Sequence, residues 1–293
     1  MGENPSSNAT WSANRARTVS ETGGNNDGAL FSRRSAGTTK EGNCHCTRKS
    51  SLTPFSFRGF FHRLVSHISA RMSSLQEAID QLGTELVMCV DSCARIWQDQ
   101  SKGILPRSLF LERPEATGRG CLAAGLNPGT SSTRERAFYL NSEITYDRVK
   151  AFRTSIANIP YLARARSIID QLGLSGPIIW SNLAKCENES GRKGLPPLQT
   201  LRHCTRRFLI RELAATPADW AVLGIGWEAY RALAYLVPER AVIGIPHPTG
   251  GYRDFRKMLE KGRLREEIKE RAARGLHPPE PGAAWLGSEK SGA

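Results

Sequence analysis

From residue 72 onward, short unbroken apolar runs alternate with stretches in which apolar positions recur every three or four residues. CLAAGL (121–126), PIIWSN (177–182), DWAVLG (219–224) and AVIGI (241–245) are the short runs. Each is too brief for a helix, and none alternates apolar with polar, so they predict strands buried on both faces. Helical spacing runs through 74–88, about 144–172, 198–213, 227–236 and 254–273. In the first of these Leu75, Ile79, Leu82 and Leu86 share one face, and Ser74 is a candidate N-cap. Strands alternating with helices predict an α/β fold: a three-layer αβα sandwich around a short, mainly parallel four-stranded sheet. Ligands of such sheets sit beyond the carboxyl ends of the strands. The residues that directly follow each strand are therefore the candidate site.

The pattern divides the chain into three parts. Residues 1–71 are expected to be a basic, disordered extension: 1–56 are rich in Ser, Thr, Asn, Gly and Arg and have no sustained apolar period. Within them, Cys44-His45-Cys46 lacks the further ligands a metal site needs. Residues 57–71 (FRGFFHRLVSHISAR) contain no acid and place Phe60, Phe61, Leu64, Val65 and Ile68 at roughly helical spacing. That suits a presequence or a surface-seeking helix, and a true start at Met72 is a third reading. Residues 72–275 form the expected folded domain, and 276–293 a flexible tail.

Charge narrows the class of partner. The chain carries 41 Lys+Arg against 28 Asp+Glu, a formal net charge of +13. The 72–293 segment by itself holds 31 Lys+Arg against 24 Asp+Glu, so the excess is not confined to the extension. Such a surplus points to a polyanion, nucleic acid before an anionic membrane surface. No run is long and apolar enough to span a bilayer. Arg134, Arg136, Arg192, Lys193, Arg206, Arg207, Arg253 and Arg256 flank the strand-end segments, where they can neutralise phosphates.

Three motifs stand at strand ends. The first is Gly125-Leu126-Asn127-Pro128-Gly129. The second is Ser181-Asn182-Leu183-Ala184-Lys185-Cys186. The third is Pro246-His247-Pro248-Thr249-Gly250. Each alone also suits a plain structural role, because Asn-Pro-Gly is ordinary turn chemistry and a His between prolines is often structural. Their joint placement would set two carboxamides and one imidazole on one rim.

In this order and spacing the motifs resemble those of the uracil-DNA glycosylase superfamily, over roughly residues 75–260. GLNPG is similar to the GxNPG water-activating loop of its mismatch-specific and single-strand-selective branches. PHPTG is similar to the HPS-type loop, and the middle segment to the TNxVKC segment of the thermostable, cluster-containing branch. The first and middle motifs point to different branches. The resemblance implies an enzyme that everts uracil, or a related deaminated base, and hydrolyses its bond to the sugar, initiating base excision repair. Asn127 and His247 would be catalytic: Asn127 would position water, and His247 would donate a hydrogen bond to uracil O2 as negative charge develops. An amide is no general base, which implies a slower enzyme than an Asp would give. Asn182 would read the uracil edge against cytosine, and Phe138 would stack on the base, with Tyr139 as its rival. Gly125 and Leu126 would contact substrate through their backbone. Arg134, Arg136, Arg192, Lys193 and Arg253 would contact DNA.

The resemblance also implies a metal centre. Cys89, Cys93, Cys186 and Cys204 correspond to the four thiolates that hold a [4Fe–4S] cluster in the cluster-containing branches. The first pair is spaced C-x3-C rather than the usual C-x2-C. Zinc would accept the same ligands, and free thiols are the third reading. Cys121 reads as a small core residue. The expected partner is uracil-containing DNA bound by a monomer, in the cytoplasm at a bacterial nucleoid or in a eukaryotic nucleus or mitochondrion. Two rival functions remain: a catalytically weak DNA-binding member of the superfamily, and a nicotinamide-dinucleotide enzyme built on Gly224-Ile225-Gly226-Trp227-Glu228-Ala229. The last motif fits GxGxx(G/A). However, Trp227 is bulky where a pyrophosphate must approach, and the following strand ends without an acid for a ribose.

Overall fold

The computed structural model describes residues 75–189, 194–276 and 282–288. Residues 44–46, 57–71, Arg192 and Lys193 lie outside them. The four expected strands form as β3 (Cys121–Gly125), β4 (Ile178–Asn182), β6 (Ala221–Ile225) and β7 (Val242–Ile245). They are mutually parallel, in the order β7-β6-β3-β4. Nearly every residue in them is buried, which is why their sequences read as continuous apolar runs.

Two further strands widen the sheet to six and make it mixed. β2 (Phe110–Glu112) pairs antiparallel with β4, and β10 (Ala283–Trp285) pairs parallel with β7. Each has three residues, too few to carry a period. β10 falls where the sequence predicts a flexible tail. Its Trp285 ring packs 5.1 Å from that of Trp227 and 5.5 Å from that of Tyr230, an anchor no periodicity announces.

Alternate strand residues feed two apolar cores. On one face Cys121, Ala123, Ile178, Trp180, Leu223 and Ile243 meet α4 (Pro160–Gln171) and α9 (Glu266–Leu276). On the other, Leu122, Ala124, Ile179 and Val222 meet α1 (Leu75–Val87) and α7 (Trp227–Leu236). Phe208 and Leu213 join the second core from the segment that starts with α5 (Leu198–Cys204), passes a π-helical turn at Thr205–Leu209, and ends as α6 (Ile210–Ala215). Helices thus flank both faces. No described helix is long and apolar enough to cross a membrane.

Where the helical expectation was too long, backbone chemistry supplies the break. The 144–172 stretch is two helices, α3 (Tyr146–Ser155) and α4. Pro160 opens the second, holding Ile159 extended at φ −61°, ψ 147°. The 254–273 stretch is α8 (Tyr252–Lys257), a hairpin of β8 (Leu259–Glu260) with β9 (Arg263–Leu264), and α9. Lys261 (φ 49°) and Gly262 (φ 81°) turn that hairpin. A helix absent from the expectation, α2 (Thr133–Leu140), starts at Ser132, whose hydroxyl accepts from Glu135 N at 3.1 Å.

The glycines of GIGWEA serve packing and a turn. A Cβ at Gly224 would stand 2.5 Å from Tyr230 Cα, so glycine lets α7 lie against β6. Gly226 has φ 93°, which favours glycine.

Beneath β4 lies a charged pair with no solvent exposure. Lys185 Nζ is 2.6 Å from Glu212 Oε1, and the Ser181 hydroxyl joins both, donating to Glu212 Oε2 at 2.5 Å and accepting from Lys185 at 2.7 Å. Removing one member strands a buried charge. Glu212→Ala is expected to lower the unfolding free energy by about 3–5 kcal/mol in urea titrations at neutral pH. The double change Lys185→Met, Glu212→Leu is expected to recover much of the loss; a single-variant loss near zero would contradict this account of the pair.

Candidate functional site

The site begins with strand register. Gly125, the last residue of β3, lies opposite Asn182, the last residue of β4. The pairing continues past both ends: Leu183 N donates to Gly125 O and Ala184 N to Leu126 O, both at 2.9 Å. The two motifs therefore run side by side. The Asn182 carboxamide folds over Gly125, so a Cβ there would stand 2.5 Å from Asn182 Oδ1 and 3.3 Å from the Tyr161 hydroxyl. Gly125 is needed for space, not for its backbone angle. Leu126 and Asn127 are half-buried. Asn127 Nδ2 donates to Pro128 O at 3.2 Å, and its Oδ1 has no hydrogen-bond partner among the described residues.

His247 follows β7 at the same end of the sheet. Its Nδ1 faces Gly250 N at 2.9 Å, Thr249 N at 3.3 Å and Thr249 Oγ1 at 3.2 Å. A backbone N–H only donates, so Nδ1 is the acceptor and the ring proton sits on Nε2. Burial lowers the His247 pKa below its ordinary value, and the ring is neutral at neutral pH. The Tyr161 ring lies 5.2 Å from the His247 ring, tilted by 41°. Tyr161 thus borders both the Gly125–Asn182 corner and His247. Arg164, one turn along α4, donates to Pro248 O at 2.9 Å and lies 4.0 Å over the Tyr252 ring, clamping α4 to the histidine loop.

A second set of contacts fixes the Asn-Pro-Gly loop from below. Glu187, fully buried in β5 (Glu187–Asn188), accepts from Ser131 N at 2.5 Å and Arg107 Nη2 at 3.0 Å, and pairs with Arg136 at 3.3 Å. Arg107 also donates to Gly129 O at 2.5 Å and pairs with Glu135 at 3.0 Å. A buried carboxylate needs such partners, and here two come from the segment after the Asn-Pro-Gly turn, Ser131 and Arg136, and one from Arg107.

The four cysteines named from sequence share one corner. β5 pairs antiparallel with β1 (Ile96–Trp97), a register that sets Gln98 beside Cys186, whose thiol donates to Gln98 Oε1 at 3.7 Å. Thr200 Oγ1 donates to Ala94 O at 3.0 Å and holds there the helix that ends in Cys204. Burial, and then the neighbouring thiols Cys204 and Cys89, push the Cys93 thiol up to about 11. The same causes, with Cys93 added, raise Cys186. All four are free thiols. Among the described residues no group of three or more His, Cys, Asp or Glu converges closely enough to hold an ion. Asp91, between Cys89 and Cys93, is lowered to about 2 by hydrogen bonds from Arg207 and His203. Cys121 is fully buried and pushed up to about 12 by that burial, as a core residue is.

The remaining expected site residues divide. Arg134 and Arg253 are exposed on the surface. Arg136 is held inward by Glu187 and lies 5.0 Å over the Trp97 ring. Phe138 sits in a third apolar cluster, with Arg148 4.2 Å over its ring and Phe152 5.3 Å away. Tyr139 is fully buried and donates to Glu135. The structure does not place either ring beside Asn182 or His247. Sequence reasoning passed over Tyr161, Arg107, Glu187 and Arg153. The Arg153 pKa is lowered by burial, and its charge acts on Glu135, Arg107, Tyr139 and Tyr161. Nothing local in the sequence marks these four, since each acts across a long separation in the chain.

No protein-family model matches the chain, and no curated protein matches it significantly.

Two outcomes test this geometry. In Gly125→Ala the added methyl is expected to displace the Asn182 carboxamide at a cost of about 1–3 kcal/mol, read from a crystal structure and a denaturation curve; an unmoved Asn182 would refute the cradle. Nitrogen-15 NMR at pH 6.5 is expected to find His247 neutral with its proton on Nε2. Because its folded pKa lies below the unfolded value of 6.5, the unfolded chain takes up the proton first as pH falls. Its cost to stability therefore sets in as pH falls through 6.5, grows down to the folded pKa, and stays at that full value at lower pH. A ring already protonated at pH 6.5 would contradict the assignment.

Proposed function

We propose that the protein is a DNA glycosylase that excises uracil, or a related deaminated base, by hydrolysing the N-glycosidic bond. The observation that carries this reading is the meeting of three chemistries at one end of a parallel sheet. An Asn carboxamide is cradled over a glycine, a second Asn keeps a free carbonyl oxygen, and a neutral His presents Nε2–H.

Each group has a task in that reaction. Asn127 accepts from the attacking water through Oδ1 and orients it; as an amide it takes no proton, so water is activated weakly. His247 donates Nε2–H to uracil O2 as negative charge builds on the departing base. Its tautomer is set in advance by the Gly250 and Thr249 N–H groups, so no reorganisation is needed. Asn182 accepts from N3–H and donates to O4. Cytosine reverses that pattern and would leave the amide mispaired, a penalty of about 1–3 kcal/mol. Arg134 and Arg253 offer charge to the DNA backbone, which makes binding salt-sensitive.

Cys89, Cys93, Cys186 and Cys204 are the residues that would hold a [4Fe–4S] cluster. Four thiolates are the ligand set such a cluster takes, and the mutual influence of these thiols supports them as candidates in kind. Its contribution would be structural, joining the end of α1 to the 186–204 segment.

Purified protein incubated with a uracil-containing oligonucleotide, followed by alkaline cleavage, is expected to yield strand breaks. Asn127→Ala and His247→Ala are each expected to lower the single-turnover rate by about 100-fold or more while leaving affinity for undamaged DNA within about twofold. Wild-type rates in both would overturn the assignment. The protein as isolated is expected to be brown, absorbing near ~400 nm with about four irons per chain. A colourless, zinc-loaded protein would remove the cluster while leaving the glycosylase reading open to its own test.

A further inference from the structure

We infer that Tyr161 is the aromatic wall against which the everted base rests, the role that sequence resemblance gives to Phe138. The inference rests on the glycosylase reading and deepens it. Phe138 is occupied: Arg148 lies over its ring, while Phe152 and Tyr139 pack on it within a separate apolar cluster. Tyr161 stands where Phe138 does not, with its ring beside His247 and its hydroxyl at the Gly125–Asn182 corner. A planar base set between Asn182 and His247 would have that ring at its side.

Tyr161 is also held as a wall must be. Pro160 fixes the first turn of α4, Leu162 and Ala165 bury the helix in the core, and Arg164 ties it to Pro248 O. The ring thus meets a ligand already in place, and little conformational entropy is lost on contact. One part of the ring packs on the first apolar core, which helps to fix its orientation.

The test uses the full chain and two probes, a uracil-containing single strand and free uracil. Loss of an aromatic platform weakens a base contact roughly 5- to 150-fold. Tyr161→Ala is expected to show a loss of that size in both excision and free-uracil affinity, with undamaged-strand affinity unchanged. Tyr161→Phe, which keeps the ring and the fold, is expected to stay within about threefold of wild type in both. Phe138→Ala, matched for thermal midpoint, is expected to lose less than Tyr161→Ala. Wild-type behaviour of Tyr161→Ala would overturn the inference, as would an equal loss in Tyr161→Phe. If the wild-type protein excises no uracil, the glycosylase reading fails and free uracil still decides the wall. Binding by wild type and not by Tyr161→Ala supports it, and equal binding or none overturns it.

Discussion

The parallel register that sets Gly125 opposite Asn182 is the constraint from which the site is built. Two strands ending at one level deliver their following loops to one rim, and the hydrogen bonds from Leu183 and Ala184 carry that pairing beyond the sheet. A shift of one residue would turn Asn182 to the other face and away from the glycine that makes room for it. Buried apolar residues on both faces resist such a slip, because either direction would exchange the two cores. The stability of the sheet and the geometry of the site are thus one property.

Glu187 extends that constraint to the loops. It follows Cys186 directly, and its carboxylate holds Arg107, Arg136 and the Ser131 amide. The segment bearing the thiols and the segment after Asn127 are therefore bound through one buried charge. Lys185, one residue before Cys186, is committed in turn to Glu212 and Ser181. A sequence of inward commitments leaves the 181–188 segment, Asn182 included, little freedom.

The π-helical turn at Thr205–Leu209 and the Asp91 contacts with His203 and Arg207 sit in the same region. A π turn is a costly local geometry that appears often at functional sites, and this one directly follows Cys204. Charge near the thiols is balanced rather than uniformly basic. Some of the arginines that read as a DNA surface in one dimension are engaged in structural pairs in three.

The sequence by itself determined the four central strands, most helices, the loops that follow the strands and the residues Asn127, Asn182 and His247 at their mouths. It could do so because unbroken apolar runs, 3.6-residue spacing and turn residues are local signals. The helix that starts at Ser132, capped by its hydroxyl on Glu135 N, was not among the expected helices. Only the tertiary structure decided which aromatic stands by the site, that Arg136 turns inward, that Glu187 is buried, and that Ala283–Trp285 closes the sheet edge. Phe138 and Tyr161 are both aromatic residues on helices and nothing in their neighbours tells them apart. Their surroundings differ because one faces Phe152 and the other His247, and such contacts across long separations in the chain exist only once the chain has packed.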